Sequence, residues 1–277
     1  MKRKTWLLPM ASVMVLATSI AVPLLTMGKT SPEQLPPQTT VASSPTATAD
    51  SAATVDEPAT EPDVTHSEDA HIINVNALLQ DELESGCEVY SATMLLQYYG
   101  YSIDEFVFAE DYLTVMPTWV DDDGIYYGPD LNSAFAGEVE WGYGAYAPAL
   151  RKAINTYLAE EDSDYEAVAE KDVTLQTLYE SCLRRDKPVM VWMTTDMALP
   201  EETISWTIDY VDENAAFEEG DTFEWPVNEH CMLLCGYDED NYYFADPLEG
   251  SIVRYEKELC EEIFEAMGGQ AVYLNHS

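Results

Sequence analysis

The sequence predicts an α+β domain, and three observations predict it. Apolar residues recur at helical spacing through the first half of the ordered region. Runs with strand character dominate the second half. The two kinds of element are segregated along the chain rather than alternated, which favours a mostly antiparallel sheet meeting a helical half at a cleft. The chain has 277 residues. Once a targeting segment and a linker are set aside, about 200 remain, enough for one domain with a sizeable core.

Residues 1–29 read as an export segment. Lys2, Arg3 and Lys4 form a basic start, and an uncharged stretch runs from Thr5 to Gly28 before Lys29. Its length suits a membrane span, whereas Ser19-Ile20-Ala21 is an acceptable small-x-small cleavage site. A cleaved signal peptide and a retained anchor both remain open, and no cysteine is near enough for a bacterial-type lipid anchor. In either case the rest of the chain is expected to be extracellular, secreted or anchored by residues 5–28. Residues 30–70 are Pro, Thr, Ala, Ser and acid with few large apolar side chains. Such a segment cannot offset its chain entropy by burial and is expected to be a disordered stalk, on the order of 35 Å end to end. The folded domain is expected over 71–277.

Within that domain, Ile72, Ile73 and Val75 suggest a short strand, and residues 78–85 a loop. A helix starts at Gly86-Cys87-Glu88, with Val89, Ala92, Leu95, Leu96 and Tyr99 at helical spacing, and stops at Gly100. Ser102 and Glu105 have the spacing of a capping box. Residues 115–145 are rich in Gly, aromatic and acidic residues and read as a long irregular surface. Helices follow at Tyr146–Ala159 and Thr174–Arg185. Strands are then expected at 188–193, 204–211, 230–237, 242–245 and 252–255, a helix at Glu258–Met267 and a last strand at Gln270–Leu274.

Composition restricts the partners. There are 52 acidic and 12 basic residues, and residues 71–277 carry 44 of the acids and eight of the bases. That charge repels nucleic acid and anionic lipid, so the membrane is met only through the N-terminal segment. A peptide or protein substrate is the expected partner. The acidic surface either attracts basic peptides or simply keeps the protein soluble. The five cysteines, at 87, 182, 231, 235 and 260, are odd in number, so at least one is free or paired between molecules.

The chemistry-bearing residues are sparse. A thiol nucleophile needs an imidazole beside it and a group that orients the imidazole. Cys87 stands at a helix N-terminus, where free N–H groups and the helix dipole favour a thiolate. Of the four histidines, His66 falls in the stalk, His71 at the domain edge and His276 beside the C-terminus. His230 alone heads a core strand. Asp246, before Pro247, ends the next strand and can reach His230 only if the hairpin register allows it. A two-residue turn at 239–240 pairs 237 with 242 and puts His230 and Asp246 on opposite faces. An odd loop, 237–241, or a bulge sets Asp246 opposite Met232 and diagonal to His230. An oxyanion would be met by the Cys87 N–H and by Gln80, the Gln of the preceding loop.

Other patterns carry less. Cys231 and Cys235 lie far apart in an extended strand, so with His230 they form neither a metal cluster nor a disulfide. Asp121-Asp122-Asp123-Gly124 lacks the ligand spacing of a calcium loop. No metal and no cofactor is expected. Most of the tryptophans should be core, with one or two near the cleft.

Four segments occur in order: LLQDELESGCEVYSATMLLQYYGY, YYGPDLNSAFAGEVEWGYGAYAPAL, KPVMVWMTT and EHCMLLCGYDEDNYYFADPLEGSIVRY. Together they resemble the bacterial C39-like peptidase family of papain-like cysteine peptidases, over roughly residues 72–275. The resemblance implies a papain-like fold, a Cys87, His230, Asp246 triad and Gln80 as the loop glutamine. The bacteriocin-processing members are fused to a transporter, a region not found in this chain, so their leader-peptide substrate is not implied. An exported hydrolase of peptides or related amides is the expected function. Acyl transfer by the same residues and a non-catalytic surface binding module are the alternatives.

Overall fold

The computed structural model describes residues 70–277 apart from 196 and 201. The expected export segment and nearly all of the expected stalk lie outside the described residues. Strand β1 (His71–Ile72) leads through a loop into α1 (Cys87–Tyr98). Every residue of α1 from Cys87 to Leu96 is buried, so this helix has no solvated face over its first ten residues and sits inside the domain. Gly100, at φ +92°, ends the segment. The next helix begins later than the Ser102 capping box suggests. Asp104 is the cap, its carboxylate accepting from the Val107 N–H, and α2 (Glu105–Val107) widens into a π-type turn over Phe108–Tyr112.

Residues 115–145 depart from the expected irregular surface. They form β2 (Val115–Met116), β3 (Trp119–Val120), β4 (Tyr126–Pro129) and β5 (Phe135–Ala136), and the stretch from Gly128 to Gly137 is buried. The long helix α3 (Ala147–Glu160) matches its apolar spacing, with Pro148 tolerated in the first turn. It is followed by β6 (Tyr165–Glu170), a strand the sequence reading did not contain. Helix α4 (Leu175–Ser181) is capped by Thr174 and closes in a 3-10 turn over Leu183–Arg185.

The second half is β7 (Val189–Thr194), β8 (Thr203–Tyr210), β9 (Thr222–Pro226), β10 (Glu229–Tyr237), β11 (Asn241–Asp246), β12 (Ser251–Glu256), helix α5 (Lys257–Ala266) and β13 (Ala271–His276). The main antiparallel sheet runs β12-β11-β10-β7-β13-β6, with β1 also on β10. Helices α1 and α3 pack against each other, α1 on β10 and β7, and α3 on β13 and β6; α4 and α5 form a second pair, α5 lying against β7, β11 and β12. A smaller sheet, β3-β4-β8-β9, has its own apolar centre of Leu131, Ala136, Trp206, Ile208 and Phe223. β6 and β9 escape a periodicity reading because each is short and buries a single residue, Ala167 in one and Phe223 in the other.

Two close approaches fix β1 and α1. A Cβ on Gly236 would meet the His71 carbonyl at 2.7 Å and Ile72 Cα at 3.1 Å. A Cβ on Gly86 would lie 3.0 Å from both Leu83 Cβ and the Leu83 carbonyl. Gly236→Ala is therefore expected to push β1 away from β10 and lower stability by about 1–3 kcal/mol, read by urea denaturation.

Candidate active site

The site forms where the β10–β11 ladder stops. At the tip of the hairpin Tyr237 pairs with Tyr242, the register of a tight turn, and the expected five-residue loop is not there. The register then shifts between Leu234 and Gly236, leaving Cys235 as an extra residue, and below this bulge Leu233 faces Ala245. One further step sets Asp246 opposite Met232, the arrangement in which it shares a face with His230. The contact follows: His230 Nε2 lies 2.8 Å from Asp246 Oδ1, with both side chains buried. The same Oδ1 accepts from the Leu248 N–H at 2.9 Å, which fixes the carboxylate. With Nε2 engaged by the carboxylate, the tautomer with hydrogen on Nε2 leaves Nδ1 as the basic nitrogen.

Cys87 is the first residue of α1, where backbone N–H groups have no intrahelical acceptor. Its sulfur accepts from the Cys231 N–H at 3.4 Å, one residue beyond His230 along β10. Its S–H donates to Glu88 Oε2 at 3.3 Å. Gln80 belongs to the loop that docks beside Asp246, its N–H donating to the Pro247 carbonyl at 2.7 Å. Gln80 Nε2 donates to the Glu84 carbonyl at 2.6 Å, which occupies one of its two hydrogens, and Oε1 is buried without a partner. Of the four residues singled out from sequence, the structure thus joins His230 to Asp246, seats Cys87 against the residue next to His230, and ties Gln80 to the residue after Asp246.

Two carboxyls that the sequence reading did not assign lie behind the sulfur. Glu88 is wholly buried, and its Oε1 accepts from the Ala145 N–H at 2.7 Å. Glu229 is 7% exposed, and its Oε1 has no partner. Alternation along β10 was the available signal: 229 and 231 share the face opposite His230. The turn carrying Ala145 is held by the Trp192 Nε1–H, which donates to the Ala145 carbonyl at 2.9 Å. Cys87, Glu88 and Glu229 are the one group of metal-donor types among the described residues whose atoms lie within 4.8 Å of one another. With the thiol donating to Glu88 and the second Glu88 oxygen committed to a backbone amide, we read the group as a hydrogen-bonded acid cluster rather than a metal centre.

The helix N-terminus was expected to favour a thiolate, but the surroundings act the other way. Burial pushes the Cys87 thiol well up, and Glu88, Glu229 and Cys231 add to it against a single opposing amide, that of Cys231. Burial raises Glu88 to about 7 in spite of the Ala145 amide, its own amide, the thiol and His230. Glu229 is raised well above the usual carboxyl range by burial and then by Glu88. Cys231 and Cys235 are buried and their thiols raised mainly by burial, and all five cysteines are free. Asp121 bonds the N–H groups of Asp123 and Ile125 within its own turn. Trp192 and Trp206 are core, while Trp119 and Trp141 are exposed.

A pH dependence of stability follows. A carboxyl with a raised folded pKa holds its proton after the unfolded chain has released it. Its contribution is therefore most favourable below the unfolded value near 4.5 and is lost as pH rises through the folded value near 7 for Glu88. The loss is on the order of 3 kcal/mol for a shift of this size. Thermal denaturation should show Glu229→Gln and Glu88→Gln gaining stability relative to wild type at pH 8 and losing that advantage at pH 4.

Comparison with known proteins bears on the family and the fold. The model of the Peptidase_C39 like family matches residues 72–272. A protein of Bacillus anthracis assigned to the C39-like peptidases superposes with a TM-score of 0.61 at 29% identity, covering 74% of this chain and 98% of its own. YvpB, an uncharacterized protein of Bacillus subtilis (strain 168), is 25% identical over 205 residues, 73% of this chain and 74% of YvpB. More distant is a double glycine motif protease from an AMS/PCAT transporter, with a TM-score of 0.42 at 15% identity over 74% of this chain and 94% of its own. The chain belongs to the C39-like peptidase family, with an α+β fold of the papain-like cysteine peptidase kind.

Proposed function

We propose that this protein is an exported cysteine hydrolase that cleaves peptides or related amides through Cys87, His230 and Asp246. The observation that carries the reading is the buried 2.8 Å contact between His230 and Asp246, produced by a bulge, with the Cys87 sulfur on the neighbouring residue's amide. In this reading the thiol proton passes to His230 Nδ1 and the sulfur attacks the carbonyl carbon. The imidazolium then gives its proton to the leaving amine as the C–N bond breaks. Water, deprotonated by the same imidazole, releases the acid from the thioester. Asp246 holds the ring and its tautomer. The Cys87 N–H and the second hydrogen of Gln80 Nε2 are the oxyanion donors. Export rests on the basic, apolar start of the chain and the Pro/Thr/Ala/Ser linker. No helix among the described residues is long and apolar enough to cross a membrane, so residues 5–28 are the proposed signal or anchor.

The favoured substrates are cationic peptides. No lysine or arginine occurs between residues 71 and 150 or between 188 and 253, the stretches that contribute Gln80, Cys87, His230 and Asp246. Asp81, Glu82 and Glu84 are exposed in the loop before Cys87, and Glu138 and Glu140 in the loop whose Val139 carbonyl accepts from the Ser85 N–H. Trp141, 72% exposed, and Leu79, 53% exposed, offer apolar contacts beside these acids.

Alkylation by iodoacetamide near neutral pH tests the nucleophile. Cys87→Ala should abolish the reactive site, and His230→Ala should slow it by roughly 100-fold; a Cys87 no faster than an ordinary thiol and indifferent to His230 overturns the reading. Substrate charge is tested with paired fluorogenic peptides differing only in Lys against Glu. The lysine peptides should have the higher kcat/KM, by about tenfold at low salt, and lose most of that advantage at 1 M salt.

A further inference from the structure

The carboxyl pair behind the sulfur has no counterpart in the peptide chemistry just described. Cys87 is tied to β10 by the Cys231 amide, one residue beyond His230. Beside its sulfur lie Glu88, from α1 itself, and Glu229, from β10, with donor atoms of all three residues within 4.8 Å of one another. Gly144, at φ +134°, is the wall of this space: a Cβ there would collide with Glu88 Oε1 and stand 3.2 Å from Glu229 Oε2. The other titratable groups turned to the pair are Cys231 on β10, on whose thiol both carboxyls act, and Tyr146 after the 143–145 turn, whose hydroxyl both carboxyls raise after burial. Thr194, opposite Glu229 on β7, contributes a hydroxyl with no partner. Among the described residues no lysine or arginine forms an ion pair with either carboxyl, and His230 is near enough to act on Glu88.

Two buried carboxyls this close, with no fixed cation, hold at least one proton between them. The unpartnered Glu229 Oε1 is where an ionised oxygen would be most costly. We propose that Glu88 and Glu229 are positioning residues that share protons behind the nucleophile and thereby set the pH range in which Cys87 can give its proton to His230. This rests on Cys87 being the nucleophile. With Glu88 neutral, the S–H bond breaks and an N–H bond forms on His230 Nδ1, giving thiolate and imidazolium. With Glu88 ionised, the S–H stays bonded to Oε2 and the adjacent negative charge opposes a second one on sulfur. The pair thus makes the thiol most competent on the acidic side of neutrality and restrains it above.

The test is the pH profile of Cys87 alkylation by iodoacetamide on the full chain, from pH 4.5 to 9.5. Wild type should show two ionisations, one of them near 7. Glu88→Gln keeps an acceptor for the Ala145 N–H but carries no charge; it should merge the profile into one step, lower the apparent thiol pKa by about one unit and speed alkylation about tenfold at pH 7.5. Glu229→Gln should move the midpoint the same way by less. A purely structural role for Glu88 would scale the rate equally at every pH and leave the midpoint in place, which overturns the proposal. A wild-type profile with a single ionisation overturns it without any variant, should Glu88→Gln fail to fold. If His230→Ala slows alkylation while Glu88→Gln leaves the midpoint unmoved, the pair proposal fails alone; if His230→Ala changes nothing, the nucleophile reading fails with it.

Discussion

The bulge at Cys235 decides which side of the main sheet carries Asp246. Strand side chains alternate with a period of two, so one extra residue in β10 exchanges the faces of everything below it relative to β11. Without it, the tight pairing at Tyr237 and Tyr242 would run on unchanged, and Asp246 would point away from His230. With it, the carboxylate meets the imidazole at 2.8 Å inside the protein. The cost of burying this polar pair is offset by bonds on both partners, since Asp246 Oδ1 also takes the Leu248 N–H. The turn that follows then receives the Gln80 loop at Pro247, so the position of the loop before Cys87 depends on the same register.

The second organising feature is how completely α1 is enclosed. A helix buried from Cys87 to Leu96 takes its first-turn acid, Glu88, fully out of contact with solvent and leaves Cys87 8% exposed. Helix dipole and free amides favour a thiolate there, but desolvation and two adjacent carboxyls push the thiol up. The thiol accordingly donates to Glu88 Oε2 rather than standing free. Gly86 and Gly144 serve this enclosure. The first lets Leu83 approach the helix start, and the second lets both carboxyls press against the 143–145 turn.

Charge is distributed on a larger scale by the same sequence segments. The eight basic residues after residue 71 are confined to 151–187 and 254–257, away in sequence from the segments around Cys87, His230 and Asp246. Several are already engaged: Lys152 with Asp212, Arg184 with Glu180, and Lys187 with Asn275. The loops nearest the site are left with acids and a few exposed apolar side chains, a surface suited to a cationic, partly apolar chain.

The sequence by itself determined the α+β class, the helix starting at Cys87 and core strands read at 188–193 and 230–237, and it placed His230, alone of the four histidines, in a core strand. Each of these rests on local information: apolar spacing, a glycine stop, or a count of residue types. Sequence also reduced the Asp246 question to a parity, an odd loop or a bulge, but which one it is depends on packing, since the Ile73 N–H just after β1 donates to the Cys235 carbonyl and Gly236 lies against β1. The strands inside 115–145, together with β6 and β9, were not legible, because runs of two to six residues that bury few positions in alternation leave little periodic signal. The Glu88–Glu229 pair was least legible of all. Each acid is ordinary in its own segment, and only the seating of α1 on β10 converts two residues 141 positions apart into neighbours that share a desolvated space with the thiol.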